Sequence, residues 1–430
     1  MISFIKNISN QDTITVFIIF ILVFICQSKV AVIWSSYGVF DQYNVIFDTD
    51  PNTWKANFSN GWSVGSFNHP LLTYFFSLPL RALSAIASFL GLIENQEEYR
   101  EAFAIYVAPV CTALKAVCFY LSFRLLKLGP SEASLATGFA VLGFSSVVFG
   151  ATPSSYAVTG FGLVLSTLLA LSLYVQSTTI KNIGFIISGI FLVGITSSNI
   201  IQFGWMVWLV QSAKSRIPLT ILGRSIAISS MVFSATIMLY YTSSITRGVE
   251  RNTTDIMVSS DFVKRYTPNS KEQVNKLIHF PELIARTFIA TTPTEKENSL
   301  AIQHNSPIKF ELTYTNTGFG ISSFILSLVS IVVVCGGATI AYRQGGLWQQ
   351  LSVASMASLF SIGLLYSLFG INMFLYSQTW YIQCVFLISA WLKLSFFKTQ
   401  IGRISVGFIL LMMTLGDLHV LTNITQQIIG

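Results

Sequence analysis

The run NVIFDTDPNTW, residues 44–54, places two carboxylates, Asp48 and Asp50, directly after the first apolar stretch of the chain. A carboxylate with an ordinary pKa of about 4 is ionised at neutral pH and can take a proton from a hydroxyl nucleophile. The same two acids are the candidate ligands for a divalent cation, Mg or Mn. A second reading needs no chemistry, because Asp50 before Pro51 is a good helix N-cap with proline at the first helical position. In FNHPLLTYF (67–75), His69 stands either to donate to a phosphate or sugar oxygen or to cap the helix that Pro70 opens. Asn199 in TSSNII, and Asn372, Tyr376 and Gln378 in FGINMFLYSQTW, put polar groups near helix ends, where they line a cavity or turn the chain. Lys115 in CTALKAV falls near the middle of an apolar run, where an ammonium is expensive and marks either a functional group or a buried structural pair. Asp417 near the end of the last apolar run is a lesser candidate of the same kind.

Phosphate loops, zinc-spaced histidines and nucleophile elbows are absent from the sequence. The four histidines argue against imidazole-based metal catalysis, and all five cysteines lie in apolar stretches, as small hydrophobes do.

The elements that must position these groups follow from composition. The chain has 430 residues, of which 53% are hydrophobic, 14% aromatic and only 10% charged, and its mean hydropathy is +0.65. A soluble domain carries about a quarter charged residues, so the expectation is an all-α, polytopic transmembrane bundle forming a single domain over 1–430. Apolar runs long enough for about 30 Å of hydrocarbon fall near 13–33, 102–123, 133–150, 156–175, 225–242, 319–341, 347–370, 380–397 and 404–422. Residues 182–211 read as two further short helices with a tight turn at TSSN, giving about eleven crossings. The segment from Thr13 to Cys26 resembles a signal peptide, but apolar residues resume from Val30 to Ile33 with no small-x-small site, so it reads as a retained first helix.

The net charge of +7 sorts by side. Arg124, Lys127, Lys181, Lys214, Arg216, Arg224, Arg343, Lys393, Lys398 and Arg403 share a face with Lys6, which the positive-inside rule makes cytoplasmic. Two outer loops result, 34–101 and 243–318. This topology requires PLLTYFFSLPLRALSAIASFLGL (70–92) to lie in the plane of the outer surface, with Thr73, Ser77, Arg81, Ser84 and Ser88 as its polar stripe; the alternative is a span with a polar face. KEQVNKLIHFPELIARTFIA (271–290) reads as a second surface helix, broken once at Pro281.

The order of these features, with FDTDPNTW followed by NHPLLTYFFSLPL, GITSSNIIQFGW (194–205) and FLYSQTWYIQCVFLI (374–388), resembles the GT-C superfamily of membrane glycosyltransferases, which includes the protein O-mannosyltransferases and aminoarabinose transferases. The resemblance covers most of the chain through short motifs. It implies a site between the first outer loop and the bundle, and a polyprenyl-phosphate sugar donor with a glycan or lipid acceptor. It also implies Asp50 as the base, with Asp48 as its neighbour or a metal ligand. His69, Arg81, Arg247 and Arg251 become the candidates to meet the lipid phosphate, and Asn199, Tyr376 and Gln378 further substrate contacts. The sequence departs from the family where an acid often follows the proline of the fourth helix, because TPSSYAV offers Ser154 and Ser155 there.

Two other readings stay open. An O-antigen-type polysaccharide polymerase would place its critical groups at Arg247, Arg251 or Arg286. A lipid-linked sugar flippase or transporter would use charges along a central path, such as Lys115, but its outer loops would be short. The expected location is the bacterial inner membrane, with a cytoplasmic N-terminus and an outward-facing site.

Overall fold

Backbone polar groups in hydrocarbon have no water to bond, and a helix satisfies them within one segment. In the computed structural model, which describes residues 10–41, 49, 51–59, 69–215, 217–245, 270–289, 294–297, 308–311, 321–369 and 373–429, the described parts of the nine apolar runs are helical, with interior breaks at Gly143 and Leu394. The first half holds α1 (Asn10–Ser36), α2 (Pro51–Ser59), α3 (Leu72–Phe89), α4 (Gln96–Leu125), α5 (Pro130–Leu142), α6 (Phe144–Ala151) and α7 (Ser155–Val175). Then come α8 (Thr179–Ile195), α9 (Ile200–Ser212), α10 (Pro218–Ile245) and α11 (Ser270–Phe288). The chain closes with α12 (Ile321–Arg343), α13 (Gly346–Leu368), α14 (Ser377–Ser389) and α15 (Gln400–Ile429). The described fold is helical, as expected, apart from a two-stranded antiparallel ribbon in the second loop, β1 (Thr294–Glu297) with β2 (Ile308–Glu311).

Seven of these helices, α1, α4, α7, α10, α12, α13 and α15, are long and apolar enough to cross a membrane. The bent pair α5 and α6 makes an eighth if counted as one span. Helix length therefore accounts for seven or eight crossings rather than about eleven. The three remaining segments are helical but shorter, at 17 residues for α8 and 13 each for α9 and α14. Thirteen residues rise only about 20 Å.

The expected single run 133–150 is two helices meeting at 63°. Gly143 sits at the bend, where a Cβ would run into the Tyr381 hydroxyl; that hydroxyl donates to the Phe139 carbonyl at the end of α5. Pro281 does not break α11, contrary to expectation. Phe280, Leu283, Ile284 and Phe288 are buried along the same helix, and this packing outweighs the roughly 3 kcal/mol of an interior proline.

Lipid tails are as apolar as leucine, so helices associate through close packing and hydrogen bonds. Phe119, Phe123 and Phe386 pack together in the middle of the bundle. A Cβ on Gly337 would strike the Leu387 carbonyl, which brings α12 and α14 into backbone contact.

One end of the bundle holds Arg124, Lys127, Lys393 and Arg403 from the set of basic residues that the sequence assigns to a common face. Asp12 accepts from Tyr120 at 2.7 Å and Arg124 at 2.8 Å, Lys393 donates to the Lys127 carbonyl at 2.8 Å, and Arg403 meets Glu132 at 2.9 Å. At the other end Trp34 donates to Thr425 at 2.9 Å, and the Leu71 amide bonds the Gly194 carbonyl at 2.8 Å.

Candidate functional site

The first loop is pinned at the end opposite the basic cluster. Val39 and Phe40 are buried, Lys55 pairs with Asp41 at 2.5 Å, and Asn52 donates to the Asp41 carbonyl at 2.8 Å. The Trp54 indole reaches the Ala104 carbonyl on α4 at 3.2 Å, within a cluster of Phe58, Phe76 and Phe103 rings. Helix α2 opens at Pro51, and Thr49 is 1% exposed. Asp48 and Asp50, and likewise Arg247 and Arg251, lie outside the described residues. Among the described residues no three His, Cys, Asp or Glu side chains gather as a metal site.

His69 does not cap α3. The N-cap is Leu71, with no side-chain bond, and the His69 ring crosses to the end of α8, where Nδ1 donates to the Ile195 carbonyl at 2.7 Å. Burial pushes its pKa below 6.5, partly offset by that bond, so the ring is neutral at pH 7 and Nε2 is its acceptor. The break after α8 is a 3-10 turn, Ser197–Asn199. Thr196 meets Thr159 of α7 at 3.3 Å, and Ser198 meets the Tyr366 hydroxyl of α13 at 3.2 Å. Tyr366 stacks on Tyr376 with centroids 4.1 Å apart, and Tyr156 stands edge-on to Tyr376 at 6.4 Å. His69, Tyr156, Thr196, Ser198 and Tyr376 are all partly exposed. They form a vestibule of hydroxyls, tyrosine rings and one neutral imidazole.

Asn199 is fully buried. Its Nδ2 donates to the Leu192 carbonyl at 3.1 Å, while Oδ1 has no hydrogen-bond partner. Ser154, standing where an acid was expected, is buried at the start of α7, also with an unpartnered hydroxyl. Gln378 lies deeper and spends both ends of its amide internally: Oε1 accepts from Lys115 at 2.9 Å and Nε2 donates to Ser145 at 2.7 Å. Lys115, 1% exposed, also donates to Ser146 at 2.8 Å. Its partners are therefore neutral groups from the starts of α6 and α14. Arg81 stands on the exposed side of α3, whereas Ser84 of its stripe is buried and accepts from Arg100 at 3.3 Å.

The structure thus joins His69, Asn199 and Tyr376 of the predicted set through the α8–α9 break, and sets Gln378 behind them. Sequence reasoning misses Tyr156, Tyr366, Thr196 and Ser198, although TSSN and TPSSYAV contain three of the four. It also misses a charged cluster on α11. Glu282, fully buried, accepts from His279 Nδ1 at 2.8 Å and from Arg286 at 2.8 and 2.6 Å. Burial opposes its charge, but the bonds from His279 and Arg286 prevail and hold the carboxyl below its usual range.

No protein-family model matches the sequence, and neither does any curated protein. The helices themselves define the class: a multi-helix membrane protein with a polar vestibule at one end of its bundle.

Proposed function

We propose that the protein is a membrane glycosyltransferase of GT-C type, moving a sugar from a polyprenyl-phosphate donor to a glycan or lipid acceptor at the outer face. The observation that carries this reading is the vestibule: tyrosine rings suit the apolar face of a sugar, hydroxyls suit its OH groups, and the acid-bearing first loop is anchored at the same end of the bundle. The finer topology belongs to the same reading, with the three short helices as crossings, about eleven in all, the N-terminus cytoplasmic and the vestibule facing outward.

Asp50 takes the proton of the acceptor hydroxyl as its oxygen attacks the anomeric carbon; the bond from that carbon to the lipid phosphate breaks on the opposite side, inverting the configuration. The departing phosphate gains negative charge, which Arg81, Arg247 or Arg251 neutralises. The neutral His69 suits an acceptor role toward a sugar hydroxyl rather than a cationic role toward phosphate.

The test is surface-glycan product in cells making Asp50→Asn, Asp48→Asn or Arg251→Ala at equal membrane abundance. Asn keeps the size and capping ability of Asp without its basicity, so loss of product with Asp50→Asn supports the reading. Full product there, with loss only in Arg251→Ala, sinks it in favour of a polymerase.

A further inference from the structure

A cavity of about 190 Å³ lies between α11, α12 and α13, away from the vestibule. Its walls are apolar apart from Ser330, with Leu277 and Ile284 from α11, Val334 from α12 and Leu359 from α13. Three observations say what it meets. Its mouth is set among side chains that face outward from the bundle, Ile331 at 47% and Leu364 at 41% exposure. Beside the cavity the outward faces of α11 and α12 expose the apolar side chains Val274, Leu277, Ile278, Leu328 and Val332. Along α13 it runs from Leu364, one turn from the helix end, down to Met356. At 1.5 Å per residue that is about 12 Å, within a single leaflet of roughly 15 Å.

The inner wall closes the cavity toward the vestibule. Phe280 packs edge-on against Trp380 with centroids 5.3 Å apart, and a side chain on Gly363 would run into the Phe280 ring. Trp380 in turn meets Tyr366 of the vestibule at 6.3 Å. A chain in the cavity is therefore screened from the reacting groups by two aromatic rings.

We infer that this groove is a binding site for one acyl chain of a bilayer phospholipid, in the leaflet at the α11 end, held as a structural lipid. The chain enters sideways from the lipid belt and gains dispersion contact from three helices at once, where an ordinary belt position offers one or two. Its depth suits a single-leaflet acyl chain, and the Phe280–Trp380 wall argues against a reactive donor lipid. The inference does not depend on sugar transfer, and its test needs no activity.

The experiment reconstitutes the full chain in phosphatidylcholine and phosphatidylglycerol vesicles containing a phosphatidylcholine with a mid-chain diazirine, and maps the photo-adducts by peptide mass spectrometry. Adducts on 277–284, 330–335 and 356–364 are expected in several-fold excess over the lipid-exposed stretch 404–415 of α15. Ile331→Trp and Leu364→Trp, both at tolerant, partly exposed positions, should each bring groove labelling down to the α15 level without changing α15. Groove labelling no higher than α15, or labelling indifferent to both substitutions, overturns the site. Displacement of the label by an equimolar polyprenyl phosphate overturns the acyl-chain assignment in favour of an isoprenoid.

Discussion

At the scale of single residues, buried polar groups and their partners decide the behaviour. Lys115→Met would leave Ser146 and Gln378 without their shared donor, and a buried polar group stripped of its partner costs about 1–3 kcal/mol. Thermal melts in detergent should show a loss of that size, and a cycle with Gln378→Leu should show coupling of about 1–3 kcal/mol. Additive single effects would mean that Lys115 is held by something else. Asp417 presents the opposite case, 3% exposed with both carboxylate oxygens unpartnered. Asp417→Asn should leave stability unchanged or raise it by up to about 3 kcal/mol; a marked loss would reveal a need for the charge. His69 sets a pH dependence. Its folded pKa lies below 6.5, so the unfolded chain binds the proton more readily. Stability is complete above pH 6.5 and falls as pH drops toward the folded value. Melts of the wild type and His69→Gln, compared from pH 7.5 to 5, should show a shallower acid loss in the variant.

At the scale of elements, the bend between α5 and α6 depends on a glycine that admits Tyr381. Gly143→Ala should destabilise by about 1–3 kcal/mol, the usual cost of overpacking. Tyr381→Phe in the same chain should recover part of the loss, though it leaves the Phe139 carbonyl without its donor. No recovery would put the cause in the backbone alone. The long spans are legible in the sequence because uninterrupted apolar runs admit little else. The bend is not, since FAVLGFSSVVFG is apolar on both sides of Gly143 and the residue that fills the notch is more than two hundred positions away. Of the short strands, IKFE alternates apolar and charged residues over only four positions, and its partner TEKE has no apolar residue, so the ribbon leaves too short a signal to read. Asn199 and Tyr376 stand out as polar groups in apolar surroundings, whereas Tyr366 looks like any aromatic in a span until Tyr376 is found stacked on it.

At the scale of the whole molecule, the segregation of charge predicts which end faces the cytoplasm. Cysteines placed at Lys127 and Lys398 in intact cells should resist a membrane-impermeant maleimide, while one at Glu98 should react. Cys26 and Cys335 are exposed on lipid-facing helices, so the comparison belongs in a background with both replaced by serine. Reaction at Lys127 would invert the orientation and move the vestibule to the other compartment.

The pairing of Lys115 with Gln378 has a consequence for biogenesis. The two residues are separated by 263 positions, and at about 5–20 residues per second of synthesis the lysine waits tens of seconds for its amide. Until then the nascent bundle holds an ammonium with only Ser146, 31 residues on, within its own newly made part. Chains arrested before α14 therefore carry an incompletely solvated cation in the bilayer. Synthesis of α14 is what supplies the second of the two acceptors that hold this lysine in the finished bundle.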